Sequence, residues 1–515
     1  MESLLVVVTK HEMLTTSLPI LLLFGALYII HSRFTFTKQR YASAPITLAK
    51  ARQRFRTDAV SMLREGYKKH RGKPWYVPSP LGERLMIPSK YVEELKAAPV
   101  DEVDFVATFF EMFEGRYTTM GSRSTLHPRV ARVQLNQNLG SVLAPVASEI
   151  KDAFEMHLPR TEEWQAVKIA DAMVKIVAQV SSRMFGGTQL SRHSEWVDAT
   201  INFARDGFIG AQAIKQYPRI VRPLAAKFIP ALKKVNEYHE TARNVIVPIL
   251  EAREAAEALG WPGSGGKPPM DFLQWMVESS VGEEKDKEFI ATIQLKLSFA
   301  AIHTSAAAPT QLLYDLCAAP EYIQPLRDEI AKVRSESNGV LDKAALARLE
   351  SLDSIMKESQ RFNPLLLVTF ERLVTKHCTL SDGFQIPSGT QIGVPTQAIS
   401  MDPVLYPDPT KFDGFRFVKM KQALTTKDPS AMGRLSFASS NHEGMTFGYG
   451  RHACPGRWFA ANEIKMIMAY LLENYDFRYP GGKTGWGNRP KSVNAETQFL
   501  PNHEALIELR RRKGA

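Results

Sequence analysis

Thr446-Phe-Gly-Tyr-Gly-Arg-His-Ala-Cys-Pro-Gly-Arg457 is the stretch on which the reading of this 515-residue chain turns. A lone cysteine is ordinarily a small buried hydrophobe. Cys454 stands in a different setting. Gly448, Gly450 and Gly456 allow tight turns through which backbone N–H groups can point at the sulfur. Apolar residues then recur at helical spacing, at Ala460, Ile464, Ile467 and Leu471. The cysteine therefore precedes a helix N-terminus, where positive potential favours a thiolate. Phe447 is placed as a dry apolar wall.

A thiolate held this way suits the electron-donating axial position of a haem iron. Two other segments carry chemistry. Glu358 and Arg361 lie on an expected helix, about Leu346 to Phe362, that Pro364 stops. Three residues apart, they share a face and can pair. A long helix expected from about Lys285 to Leu316 is apolar on most faces and carries Phe299-Ala-Ala-Ile-His-Thr-Ser305. Pro309 within it is expected to kink the helix or end it early. Strand-like runs are short and late, such as Leu365 to Phe370 and Thr390 to Val394. The fold class is mainly α with a small β region. Gly260 to Pro269 reads as a surface loop inside one domain.

The spacing Phe447-x-x-Gly450-x-His452-x-Cys454-x-Gly456 resembles the haem-binding signature of the cytochrome P-450 family. The resemblance covers roughly residues 40–510. It implies the P-450 fold, with haem b as cofactor and Cys454 as the metal ligand. It implies that His452 binds a haem propionate, where many members have Arg. Arg372 resembles a second propionate contact. The usual Trp-x-x-x-Arg contact is not visible, and His127 or Arg132 are the candidates to replace it. Glu358 and Arg361, 93 residues before Cys454, imply a structural latch completed by Arg416. Phe299 to Ser305 resembles the oxygen-activation segment. Thr304 is then the catalytic hydroxyl, with His303 standing where the family usually has an acid.

The implied reaction inserts one atom of O2 into a lipophilic small molecule. NADPH supplies the electrons through flavins of a separate reductase. Local wording resembles fungal members that act in secondary metabolism, and a terpenoid is the expected substrate type. The pocket is expected from Leu365 to Phe370, Asp101 to Arg123, the Ile302 region and Phe499–Leu500. Rival readings are a haem-thiolate isomerase, dehydratase or oxidative coupling enzyme, which His303 keeps open, and a non-catalytic haem sensor.

Charge and composition bound the setting. The net charge of +11 is dispersed apart from Arg510 to Lys513. Basic and aromatic residues do not interleave as single-stranded nucleic acid would require, so no nucleic-acid partner is expected. Three distant cysteines argue against a disulfide framework and against structural zinc. Residues 1–12 form a short leading segment. Met13 to Ser32 has no Asp, Glu, Lys or Arg and is long enough to span a bilayer. Arg33, Lys38 and Arg40 follow it. The positive-inside rule then expects a single-pass transmembrane helix with the body on the cytosolic side, and the resemblance to fungal microsomal members implies the endoplasmic reticulum membrane. Residues 33–515 are expected as a linker and a cytosolic catalytic domain.

Overall fold

A computed structural model describes residues 48–79, 82–121, 123–424 and 429–513. The helices that organise it are α1 (Leu139–His157), α2 (Ile169–Gly186), α3 (Ser194–Lys215), α4 (Pro230–Ala258), α5 (Lys287–Ala318), α6 (Glu350–Phe362) and α7 (Arg457–Asn474). To one side lies a mixed sheet of β1 (Trp75–Ser79), β2 (Gly82–Met86), β3 (Val103–Asp104), β4 (Thr369–Val374) and β5 (Gln391–Val394). Its strand order is β1-β2-β5-β4-β3, with β2 and β5 parallel and the other pairs antiparallel. A smaller sheet joins Gln165–Lys168, Leu506–Arg511 and Tyr475–Arg478. The architecture is mostly helical with small sheets, as the sequence patterns lead one to expect. The segment Met13 to Ser32 lies outside the described residues. Among those described, no helix is long and apolar enough to cross a membrane.

The long helix α5 is the axis of the helical body. Asp286 caps it, its carboxylate accepting the Phe289 N–H at 2.9 Å. Ile290, Ile293, Leu295, Ile302, Leu312 and Leu313 are all buried. Helices α2, α3, α4, α6 and α7 pack around it, which is why its sequence is apolar on so many sides. Pro309 does not end the helix, which runs on to Ala318. Proline is buried there, and packing on every side holds the helix through the missing amide.

Two boundaries differ from the sequence patterns for tertiary reasons. The run Leu346 to Phe362 is broken at Leu349, whose backbone is non-helical at φ −75° and ψ 70°. Lys343–Arg348 forms a separate short helix capped by Asp342. Glu329 then caps α6 from a different helix, accepting the Ser351 and Leu352 N–H groups at 2.7 and 3.0 Å. The run Leu365 to Phe370 is not a strand throughout, because β4 begins at Thr369. The chain before it docks instead on a C-terminal hairpin, Val493–Ala495 paired with Gln498–Leu500. Leu367 N–H donates to Thr497 O at 2.7 Å, and Phe499 N–H donates to Leu365 O at 2.9 Å.

One face of α6 grips the chain that leads to Cys454. The Glu358 carboxylate receives Arg361 at 2.8 Å through both of its oxygens and Arg416 at 3.1 and 3.2 Å. It also accepts the Asp413 N–H at 3.0 Å. The guanidinium groups hold backbone in turn. Arg361 donates to Ser400 O and Pro409 O, and Arg416 to Pro407 O and Lys411 O. Ser354 Oγ accepts the Phe417 N–H at 3.1 Å, and Asp353 accepts the Phe437 N–H at 2.9 Å. Lys357 donates to Ser436 O at 2.7 Å. Asp353 also pairs with Lys465 on α7 at 2.9 Å, so α6 and the helix after Cys454 are fixed together.

Glu358 is fully buried, and Arg361 and Arg416 nearly so. Removing one partner of such a cluster strands buried charge. Glu358→Ala is therefore expected to lower unfolding stability by about 3–5 kcal/mol in urea titration. A loss below about 1 kcal/mol, the range of an exposed pair, would contradict the latch.

Candidate functional site

The loop around Cys454 is closed by its own backbone. Cys454 N–H donates to Phe447 O at 2.7 Å, and Gly448 N–H donates to Met445 O at 2.8 Å. Gly448 and Gly450 have φ of +70° and +67°, a region that disfavours side chains. A Cβ at Gly450 would also stand 2.5 Å from Lys96 Cβ. Gly456 differs from the expectation that its turn requires glycine. Its φ is −90°, and open space lies where a Cβ would stand. Its part is that of N-cap to α7, with its N–H directed at the sulfur together with that of Arg457. Burial pushes the Cys454 thiol up, while these N–H groups and the Arg457 guanidinium pull it down. The residue is nonetheless partly exposed, as is Phe447, which meets Phe437 edge-on at 5.5 Å.

Helix α5 presents an open stripe in an otherwise buried element. Ala300 and Thr304 are exposed, and Ala301 and Ala308 partly so. Residues four apart share a helix face, so Ala300, Thr304 and Ala308 lie together on one side of α5. Thr304 Oγ1 is held by the carbonyls of Ala300 and Ala301, at 2.7 and 3.2 Å. Ile302 turns into the core and is fully buried; Ala301 and Thr304 take its expected place in the lining. His303 turns towards α3, its Nε2 donating to Ile201 O at 2.9 Å. Burial lowers its pKa, so its imidazole is neutral at neutral pH.

Sequence reasoning missed the next neighbour. Glu463 on α7 is buried, receives Ser181 Oγ from α2 at 2.7 Å, and bonds Ser305 on α5. Burial pushes its carboxyl up to about 8. The available signal was an acid set among the apolar positions of α7, beside Ile464.

Positive charge gathers at the edge of the same region. Phe370 has φ +52° at an irregularity between Thr369 and Arg372 in the β4–β5 pairing. Such a bulge re-aims the side chain after it. The Arg372 guanidinium lies 4.3 Å from the Phe370 ring and 4.9 Å from that of Phe105. Phe105 in turn stacks on His452 at 5.1 Å. Arg132 donates to Arg451 O at 2.7 Å. Burial first, then Arg372, Arg132 and Arg451, pull His452 down to about 4. It is a neutral donor among cations. Of the two candidates near residue 130, Arg132 joins this group, whereas His127 sits under the charge of Lys296 on α5.

These residues fit haem b. A part-exposed sulfur with N–H support suits its iron. The small, exposed side chains of α5 suit the close approach of a flat ring, and Arg372, Arg132, Arg451 and His452 suit its propionates.

The cytochrome P450 family model matches residues 114–498. A cytochrome P450 monooxygenase of Emericella nidulans is 35% identical over 462 residues, 89% of this chain and 84% of that protein. The cytochrome P450 monooxygenase braC of Annulohypoxylon truncatum is 35% identical, covering 90% of each chain. An ent-kaurene oxidase of Fusarium fujikuroi is 35% identical over 90% of this chain and 85% of its own.

The buried acid makes a pH prediction. The Glu463 carboxyl titrates near 4.5 when free and at about 8 in the fold. Its stabilising contribution is full below the free value and is lost as pH rises through the folded one. Between about pH 5 and about pH 8, wild type should lose thermal stability relative to Glu463→Gln. A difference between the two that does not change with pH would contradict a neutral Glu463.

Proposed function

This chain belongs to the cytochrome P450 family of haem-thiolate oxidoreductases, and from that premise we propose that it is a monooxygenase of a lipophilic secondary metabolite. The observation that carries the reading is Cys454, part-exposed at the head of α7 with two backbone N–H groups on its sulfur. Bound there, the haem supplies the oxygen-transfer chemistry, with the thiolate as electron donor. Cys454, Phe447, Gly450 and Gly456 form the cradle, and His452 and Arg372 hold the propionates. Thr304 holds and passes a proton at Oγ1, its hydroxyl lying on the open stripe of α5 beside Ala300. His303, next to it, braces α5 against α3 through Ile201. Glu358, Arg361 and Arg416 keep the cradle in place.

The electrons come from NADPH through the flavins of a separate reductase, and the enzyme sits on the endoplasmic reticulum membrane with its body cytosolic. Two features support the membrane. Met13 to Ser32 has the length and composition of an anchor. Between α3 and α4, Ile220, Leu224 and Phe228 are 89%, 63% and 78% exposed, an apolar surface suited to lipid. The relatives named as ent-kaurene oxidases support a terpenoid-type polycycle as the substrate class.

The test is turnover with NADPH, a fungal reductase and isotopically labelled dioxygen against a panel of terpenoids. One labelled oxygen atom per product is expected. Thr304→Ala should lower the rate of product formation by about a hundredfold, the low end of lost proton handling. Products that carry no label would support an isomerase or coupling enzyme and overturn the proposal.

A further inference from the structure

His303 stands on α5 one residue before Thr304 and three after Ala300. At about 3.6 residues per turn, its side chain leaves the helix about 60° from that of Ala300. It is half-buried, at the edge of the open stripe that meets α3. Its Nε2 lies 2.9 Å from Ile201 O. A carbonyl oxygen only accepts, so the imidazole proton is on Nε2. A helix carbonyl keeps a second lone pair for such a donor. Burial, the largest influence, lowers the His303 pKa; the bond to Ile201 raises it, and His503 and Arg205 lower it further. Those two groups have carboxylates of their own, Arg205 Nε lying 3.5 Å from Asp206 and His503 Nδ1 2.8 Å from Asp171. The imidazole is thus neutral at neutral pH, with its one proton committed to α3.

Helix α3 is held from its other sides as well. Tyr238 on α4 donates to Asp206 at 2.6 Å, and Lys215 Nζ donates to Met112 O. Met120 fills the notch at Gly207, where a Cβ would stand 2.1 Å from Met120 Cε. Against α5, Phe203 meets Phe299 edge-on at 6.4 Å. Apolar contact is non-directional, whereas a hydrogen bond prefers one distance and angle. The bond to Ile201 therefore sets where α3 sits along this turn of α5. The same turn holds the Thr304 hydroxyl, on the carbonyls of Ala300 and Ala301 at 2.7 and 3.2 Å. A proton relay at position 303 needs a partner that can receive a proton and return it. The Nε2–H faces a main-chain carbonyl, which does neither.

We propose that His303 is a positioning residue for Thr304: through Nε2 it seats α3 on the turn of α5 that holds the Thr304 hydroxyl, and it passes no proton in the reaction. Proton handling at Thr304 Oγ1 then runs without a titrating side chain at position 303. Loss of the bond lets α3 shift at Ile201 and loosens the turn beneath it. The inference rests on the monooxygenase reading above and deepens it.

The test compares haem-loaded, full-length wild type with His303→Gln, whose side-chain amide donates at the same reach, and His303→Leu, which has no donor. The first readout needs no substrate. Hydrogen–deuterium exchange of peptides spanning Ile201 to Arg205 should rise about fivefold in the Leu variant, the worth of one hydrogen bond, and stay at the wild-type level in the Gln variant. The second is product formed per NADPH with the panel terpenoid that wild type converts. It should fall about fivefold in the Leu variant and be kept in the Gln variant. The ratio of wild type to the Gln variant should not change between about pH 6 and about pH 8, because neither side chain relays a proton. Product yield that falls in both variants while α3 exchange stays at the wild-type level makes His303 a proton carrier and overturns the inference. A Leu variant that matches wild type in either readout, or a wild-type-to-Gln ratio that changes with pH, overturns it too. Wild type that gives no labelled product overturns the monooxygenase reading instead, and the exchange readout still decides whether His303 seats α3.

Discussion

A single buried carboxylate, Glu358, organises the cofactor side of this protein. Two guanidinium groups and a backbone amide converge on it, and those guanidinium groups clamp five carbonyls between Ser400 and Lys411. The clamped chain has little regular structure of its own. Without that ion cluster it would have few reasons to hold one course towards Cys454. The neighbouring groups on α6, Asp353, Ser354 and Lys357, extend the grip to Phe437, Phe417 and Ser436 in turn. Desolvating so much charge is costly. What it secures is the position of the loop around Cys454 relative to α5 and α7.

Around that fixed loop, polarity is sorted along α5. Its core-facing sides are apolar, and its open stripe runs from Lys296 through Ala300 to Thr304. Small residues make room beside the hydroxyl, and an ammonium stands two turns away. At the other edge, Arg372 is aimed by the bulge at Phe370 and layered over Phe105 and His452.

Much of this was legible in the sequence because it is local. The glycines around Cys454, the three-residue step from Glu358 to Arg361 and the apolar length of α5 are each written within a few turns of chain. Arg416 could be assigned only through family resemblance, since its partner is 58 residues away. What stayed hidden depends on neighbours from other elements. The cap of α6 comes from Glu329, and the neutral state of Glu463 from full burial, against the pull of the Ser181 and Ser305 hydroxyls. The strand at Thr369 starts late for the same reason. The chain before it is claimed by the C-terminal hairpin.

The central claim is that Cys454 is the thiolate ligand of a haem. The reduced, carbon-monoxide difference spectrum of the haem-loaded protein tests it most directly, with Cys454→Ser alongside. The account predicts the red-shifted Soret band of a thiolate-ligated haem, absent in the variant. A band of the histidine-ligated type, or folded wild-type protein that takes up no haem, would contradict it.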